Sequence, residues 1–295
     1  MKTEVVYSRQ RILDLLQSVP ANCLVDDIEY RTAGLSRSFT QVFAVVTKIG
    51  NLVTGVLPLC RIKDRIEVLG QYWGEGYGIR LGSDDLDAML DVLKGEKVMI
   101  EYSRDQIGRM VPMTEEQAYL RMDGGIEWYM DLFRKNKKDR QILAEAMKYD
   151  SDVETRLKMT LDTNDIDTLV KFAEARLGQD SRFNNKLFVE SFTGTCGYLS
   201  LRKSLVVATF RWNGAVVGNM ICSFDAGLGR LTYLSGFYAP ELSGFGKFMY
   251  LKLVYVADRL GANEIIAMLP VNRIKRIMKF TGRPLYGFYQ NIDMS

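Results

Sequence analysis

Two stretches of this chain, "IGNLVTGVLPL" at 49–59 and "WNGAVVGNMIC" at 212–222, repeat one pattern: a turn, an apolar run and an aligned glycine. Gly55 and Gly218 stand 163 residues apart, while Leu69 and Leu234, in the run that follows each, stand 165 apart. The offset grows by two residues, which places a small insertion in the second turn of the later copy. A hairpin plus third strand written twice limits the fold to two related β-rich blocks. Asn213-Gly214 is the strongest hairpin signal in the chain, because both residues accept positive φ.

The remaining elements fall around these blocks. Apolar residues at 12, 13, 15 and 16 predict a short helix over Ser8–Leu16. Strands are expected in "FTQVFAVVTKIGNLVTGVLPLCRI" around Gly50 and Asn51, in "RIEVLGQYW" and in "KVMIEYS". "SDDLDAMLDVLK" reads as a helix opened by Ser83 or Asp84. Gly124–Tyr149 reads as one long helical stretch with Arg134, Lys135, Lys137, Lys138 and Arg140 clustered in it. "VETRLKMTLD" is a strand, "NDIDTLVKFAEARLG" a helix capped by Asn164 and stopped at Gly178, and "NKLFVESF" a short helix. After the second block come "EIIAMLP" as a buried strand, "NRIKRIMKFTG" as a short helix ending at Gly282, and "LYGFYQNI" as a last strand. This divides the chain into 1–123, a connecting basic helix 124–150, and 151–295.

Composition narrows the chemistry. No apolar run approaches the roughly 18 residues of a membrane span, and charges interrupt every apolar stretch of "MKTEVVYSRQRILDLL". A cytoplasmic protein without a signal peptide or membrane segment is expected. Cys23, Cys60, Cys196 and Cys222 form no C-x-x-C pair, so they read as buried thiols rather than a metal or redox site. The chain has no histidine, which removes Ser-His-Asp and Cys-His chemistry and histidine-based zinc sites. Proton transfer is left to carboxylates, Tyr, Lys, Cys, termini or water. That favours a reaction whose main demand is holding two reactants together. The net charge of +3 neither requires nor excludes a nucleic-acid partner.

"APELSGFGKFMYLKLVYVADRLGA", 239–262, puts Ser243, Gly244, Phe245, Gly246 and Lys247 at the start of a long helix. Such glycines can simply cap the helix. They can also bare its first N–H groups, at the positive end of the helix dipole, to a phosphate.

The flanking residues resemble the cofactor half of the GNAT acyltransferase superfamily. That family runs strand, short Pro link, Q/R-x-x-G-x-G/A, helix, strand, Asn, helix, Gly. Here Pro240 opens the link, Glu241, Gly244 and Gly246 occupy the motif frame, and Asn272 and Gly282 fall at the later Asn and Gly. The resemblance covers roughly residues 200–292. It implies an α/β (α+β) fold with mixed sheets and flanking helices. It also implies an acyl-CoA arm along Ser235, Gly236, Phe237 and Tyr238, a pyrophosphate on the amides of Ser243 to Phe248, and Asn272 against the arm. The sequence departs from the pattern in three places. Glu241 stands where Gln or Arg is usual, Met278 where the family's thiolate-protonating tyrosine falls, and the third strand carries no carboxylate. Tyr286 or Tyr289 is a substitute acid, and Asp225 and Glu241, or a water between them, are candidate bases.

The whole layout resembles the FemAB/FemX-like tandem GNAT proteins, with the first copy degenerate. That likeness implies an acyl or aminoacyl donor, CoA-borne or tRNA-borne, as co-substrate with no permanently bound cofactor, and an amine or hydroxyl acceptor. Two further readings stay open. One is transfer of an amino acid or acetyl group onto a modified thymine of bacteriophage DNA, with Arg134, Lys135, Lys137, Lys138, Arg140, Arg273, Lys275 and Arg276 gripping phosphates. The other is a non-catalytic protein that keeps the fold for binding.

Overall fold

The computed structural model describes residues 1–18, 41–69, 81–104, 106–267 and 272–292. In chain order its first half runs β1 (Lys2–Val6), α1 (Arg9–Ser18), β2 (Gln41–Ile49), β3 (Leu52–Ile62), β4 (Arg65–Val68), α2 (Ser83–Val92), β5 (Val98–Ser103) and β6 (Val111–Arg121). Helices α3 (Gly125–Asp131) and α4 (Lys137–Met147) follow. Next come β7 (Val153–Lys158), α5 (Thr163–Leu177), α6 (Lys186–Leu201), β8 (Leu205–Trp212), β9 (Ala215–Asp225) and β10 (Arg230–Tyr238). The chain finishes with α7 (Phe245–Arg259), β11 (Glu264–Ile266), α8 (Arg273–Ile277) and β12 (Thr281–Gln290).

Two compact units result, Met1–Gln117 with Arg283–Ser295, and Ala118–Gly282. In the first, strands lie in the order β1-β2-β3-β4-β5-β12, with only β4 and β5 parallel among the pairings described. β2 is buried on both faces. Val42, Ala44 and Val46 pack with Ile12 and Leu16 of α1, whereas Phe43 and Val45 pack with Leu86, Met89 and Leu90 of α2. Burial on both sides explains why this strand reads as an unbroken apolar run rather than an alternation.

The second unit has the order β7-β8-β9-β10-β11-β6, with β10 and β11 parallel. The two orders match strand for strand. The likeness extends to a shared defect in the hairpin. Thr47 pairs Gly55 and Lys48 pairs Val53, leaving Thr54 as a bulge. Phe210 pairs Gly218 and Arg211 pairs Val216, leaving Val217 in the same place. The second turn spans 63–64 in the first unit and 226–229 in the other, the two-residue insertion expected from the offsets.

Each sheet takes its last strand from elsewhere in the sequence. β12, the final strand of the chain, pairs β5 in the first unit through Tyr286↔Ser103 to Gln290↔Val98. The end of β6, from the first half of the chain, pairs β11 in the second through Glu264↔Arg121 to Ile266↔Tyr119.

Several expectations are corrected. Residues 124–149 form two helices, because Asn136 accepts from the Asp139 amide at 2.9 Å and starts α4 afresh. α5 is capped by Asp162, not Asn164. Asp162 and Asp165 each accept from the other's backbone N–H, a reciprocal box that Asn164 does not offer. α2 does start at Ser83, but its N-cap is Gly82 and no side chain caps it, since Asp85 turns instead to the hydroxyls of Thr47 and Thr54, 2.7 Å each. α6 is longer than expected, running to Leu201. α8 ends at Ile277, where Lys279 takes φ 66°, and Gly282 lies inside β12. β1 and β6 were not expected. Cys23, the "GEGYG" stretch at 74–78 and the ends of the expected strands at 70–73 and 268–270 lie outside the described residues. Cys60, Cys196 and Cys222 are buried. Among the described residues no helix is long and apolar enough to cross a membrane.

Candidate active site

The site is built at the C-terminal end of β10. Among the described residues β10 pairs with β11 over Arg230–Thr232. Beyond that, Leu234 drops out of register with β9, a bulge between Tyr233 and Ser235. Next to the end of β10 lies the start of α7. Its N-cap is Gly244, at φ 81°, and no side chain caps the helix. A Cβ at Gly244 would meet nothing within 4 Å, so this glycine is needed for its backbone angle and leaves the turn uncovered. The amides of Ser243, Gly244 and Gly246 have no acceptor among the described residues.

What fixes the turn is the ring beside it. Phe245 is fully buried and packs edge-on against Tyr149 and Phe210, 5.1 and 5.7 Å between centroids. The Tyr149 hydroxyl also donates to the Ser243 carbonyl at 2.7 Å.

Between β10 and α7 opens a cavity of about 250 Å3. Met220 of β9, Tyr233, Gly236 and Tyr238 of β10, and Gly246, Met249, Tyr250 and Leu253 of α7 form its walls. Ile274 of α8 and Arg176 near the end of α5 complete it. Gly236 and Gly246 hold the walls close: a Cβ on Gly236 would sit 2.6 Å from the Tyr233 hydroxyl, and one on Gly246 2.8 Å from Ile274. The Tyr233 hydroxyl donates to the Gly236 carbonyl at 3.0 Å. Burial holds the Tyr233 and Tyr250 phenols above their ordinary pKa, so both keep their protons at neutral pH.

The cavity's charge is positive. The Arg176 guanidinium lies 4.0 Å over the Tyr238 ring and has no carboxylate partner among the described residues. No acidic residue occupies the first turn of α7. The corresponding helix of the first unit, α2, begins with Asp84 and Asp85, which already occupy the positive end of its dipole.

The nominated residues divide as follows. Gly236, Tyr238 and Gly246 line the cavity. Phe237 faces the other way, 6.0 Å from Phe183, and Ser235 shares its face by strand alternation. Lys247 is ion-paired with Glu145 of α4, so it does not supply a free charge to the turn. The Asn272 side chain caps α8, accepting from the Lys275 amide at 3.1 Å. Asp225 pairs with Arg230, at the far end of β10 from the glycine turn. That is about 26 Å along the strand, so one water cannot join Asp225 to Glu241, which is exposed three residues past Tyr238. Asp225 instead accepts from the Leu228 amide at 3.0 Å and shapes its own turn. Tyr286 belongs to the first unit and packs against that unit's core. Tyr289 donates to Glu101 there at 3.0 Å. Met278 is fully buried and accepts at its carbonyl from Tyr129.

Sequence reading missed Arg176, Tyr233 and Tyr250. Tyr250 had a signal, because 246, 249/250 and 253 share one helix face. Arg176 had none, since it reaches the cavity from a helix about 60 residues upstream.

The chain matches solved structures over nearly its full length. It is similar to "L-PGS from Bacillus licheniformis" at TM-score 0.59 and 12% identity, covering 98% of this chain and 94% of that one. FemX gives 0.58 and 12%, covering 99% and 98%. A "tandem GNAT protein from the clavulanic acid biosynthesis pathway" gives 0.51 and 11%, covering 99% and 100%. The fold is that of the FemAB-like tandem GNAT proteins. No protein-family model matches the chain, and no curated protein matches it in sequence.

Proposed function

We propose that the second unit is an acyl- or aminoacyl-transferase, and that the cavity between β10 and α7 takes the reactive arm of an activated donor. The observation that carries this is the uncapped start of α7 opening beside a cavity that Arg176 makes positive. A donor's phosphate rests on the Gly244 and Gly246 amides, with Arg176 beside it. At about 250 Å3 the space suits one arm or one aminoacyl group, with the rest of the donor outside.

An acceptor amine or hydroxyl attacks the donor's carbonyl carbon. The new bond forms as the carbonyl π pair moves to oxygen, and the bulged backbone at Leu234 offers amides to that oxyanion. The intermediate collapses, the leaving group takes a proton from Tyr238, and the acceptor gives its proton to water or to Glu241. Holding two reactants in line supplies on the order of 7–11 kcal/mol, which suits a site without histidine.

The test is thermal unfolding with acetyl-CoA, with CoA, and with a non-hydrolysable aminoacyl-adenosine. A true donor at about a hundred times its Kd adds about 2.7 kcal/mol. A donor that stabilises the protein and loses that effect in Arg176→Ala supports the assignment. Indifference to all three compounds sinks it.

A further inference from the structure

Three phenols line the cavity between β10 and α7, and two of them have a task. Tyr233 donates to the Gly236 carbonyl at 3.0 Å, so its proton is committed within the protein. In the transfer proposed above, Tyr238 protonates the leaving group. Tyr250 remains. It stands one turn beyond Gly246 on α7, so the two share the helix face that lines the cavity. Its ring packs edge-on against Phe280, 5.5 Å between centroids, and lies 6.1 Å from Tyr233. Desolvation raises its pKa and keeps its proton in place. Among the described residues its hydroxyl makes no hydrogen bond, and its oxygen is not sealed into the packing. Enclosed donors are ordinarily paired. For this one, the cavity is where an acceptor fits.

The rest of the lining limits what else the occupant carries. Met220, Met249, Leu253 and Ile274 are apolar. No residue that lines the cavity bears a carboxylate, and the one charged side chain there, Arg176, is a cation. Tyr233 and Tyr250 hold their protons at neutral pH, so neither supplies a counter-charge. An ammonium in this space would be desolvated without an anion and close to a guanidinium. The Tyr238 face, which could shelter a cation, is already covered by Arg176 at 4.0 Å. An uncharged group with one oxygen meets neither penalty. Its oxygen accepts from Tyr250, and its carbons lie against methionine and leucine.

We propose that Tyr250 determines which acyl group the cavity accepts: a short, uncharged one with an oxygen substituent, and not an aminoacyl group with a free α-ammonium. The inference rests on the transferase reading and narrows its donor.

Three nearly isosteric groups test it: glycolyl, propionyl and glycyl, which end in hydroxyl, methyl and ammonium. Each is carried as an amide on aza(dethia)-CoA and on amino-deoxyadenosine, and its Kd for the full chain is measured by calorimetry at neutral pH. Glycolyl is expected to bind roughly ten-fold more tightly than propionyl, the gain from one hydrogen bond. Glycyl is expected to bind at least about ten-fold more weakly than propionyl. Tyr250→Phe keeps the ring and its packing. It is expected to bring glycolyl down to propionyl, while propionyl binding and the rejection of glycyl stay as they were. A residue that only supports the fold would weaken all three groups together. The order on the parent protein is itself decisive if the variant does not fold. Glycyl bound as tightly as glycolyl, glycolyl bound no better than propionyl, or a glycolyl preference that survives Tyr250→Phe overturns the inference and leaves the transferase reading in place. No binding of any group on either carrier overturns both.

Discussion

Two glycines flank the cavity for different physical reasons, and that difference can be measured. Gly244 needs only its positive φ, whereas Gly236 needs the space a Cβ would fill. Gly244→Ala is expected to cost about 1 kcal/mol of stability through backbone strain and to keep donor stabilisation. Gly236→Ala is expected to cost about 1–3 kcal/mol and to lose that stabilisation, because the new methyl drives Tyr233 and Met249 into the cavity. Paired thermal melts with and without acyl-CoA separate the two. Arg176→Ala, at an exposed position, is expected to leave stability within about 0.5 kcal/mol while weakening donor binding about ten-fold, with Arg176→Lys between. The glycines were legible because a backbone requirement is written at the position itself. Arg176 was not, because its role comes from where a distant helix delivers it.

At the level of elements, the helix starts show where local signals compete. Asp162 both caps α5 and bonds Lys158, and Lys158 holds its carboxyl below the usual value. A carboxyl lowered in the folded state adds stability that is present above its ordinary pKa of about 3.9. That stability is lost as pH falls through the lowered value. Asp162→Asn is therefore expected to flatten the acid limb of a stability–pH curve taken from pH 6 to 2. An unchanged limb would assign the acid sensitivity to other carboxylates. The sequence reading put the cap at Asn164, and only the reciprocal geometry of Asp162 and Asp165 moves it to Asp162. The break at Asn136 was written as an Asn three residues before an Asp, but the apolar spacing on both sides masked it. β6 was hidden for another reason. Its polar, half-exposed "VPMTEEQAYLR" lacks a clean alternation, and its place in the sheet depends on a partner far along the chain.

The repeat read from two glycines extends through the whole molecule as matching strand orders with matching bulges. What spacing could not reveal is the exchange of last strands. It predicts that deleting 283–295 bares one edge of β5, so that hydrogen exchange rises at 100–103, beyond the pairing of Val98 and Met99 with β4, while the amides inside α7 stay protected. Equal exchange in both regions would refute this independence. The exchange of strands also sets a clock during synthesis. The ribosome makes the opening sheet's β5 early, then must add about 180 residues before β12 emerges, roughly 10 to 40 seconds at ordinary translation speed. The portion begun first is therefore sealed last, and until then its bare strand edge invites capture by a chaperone or by a neighbouring nascent chain.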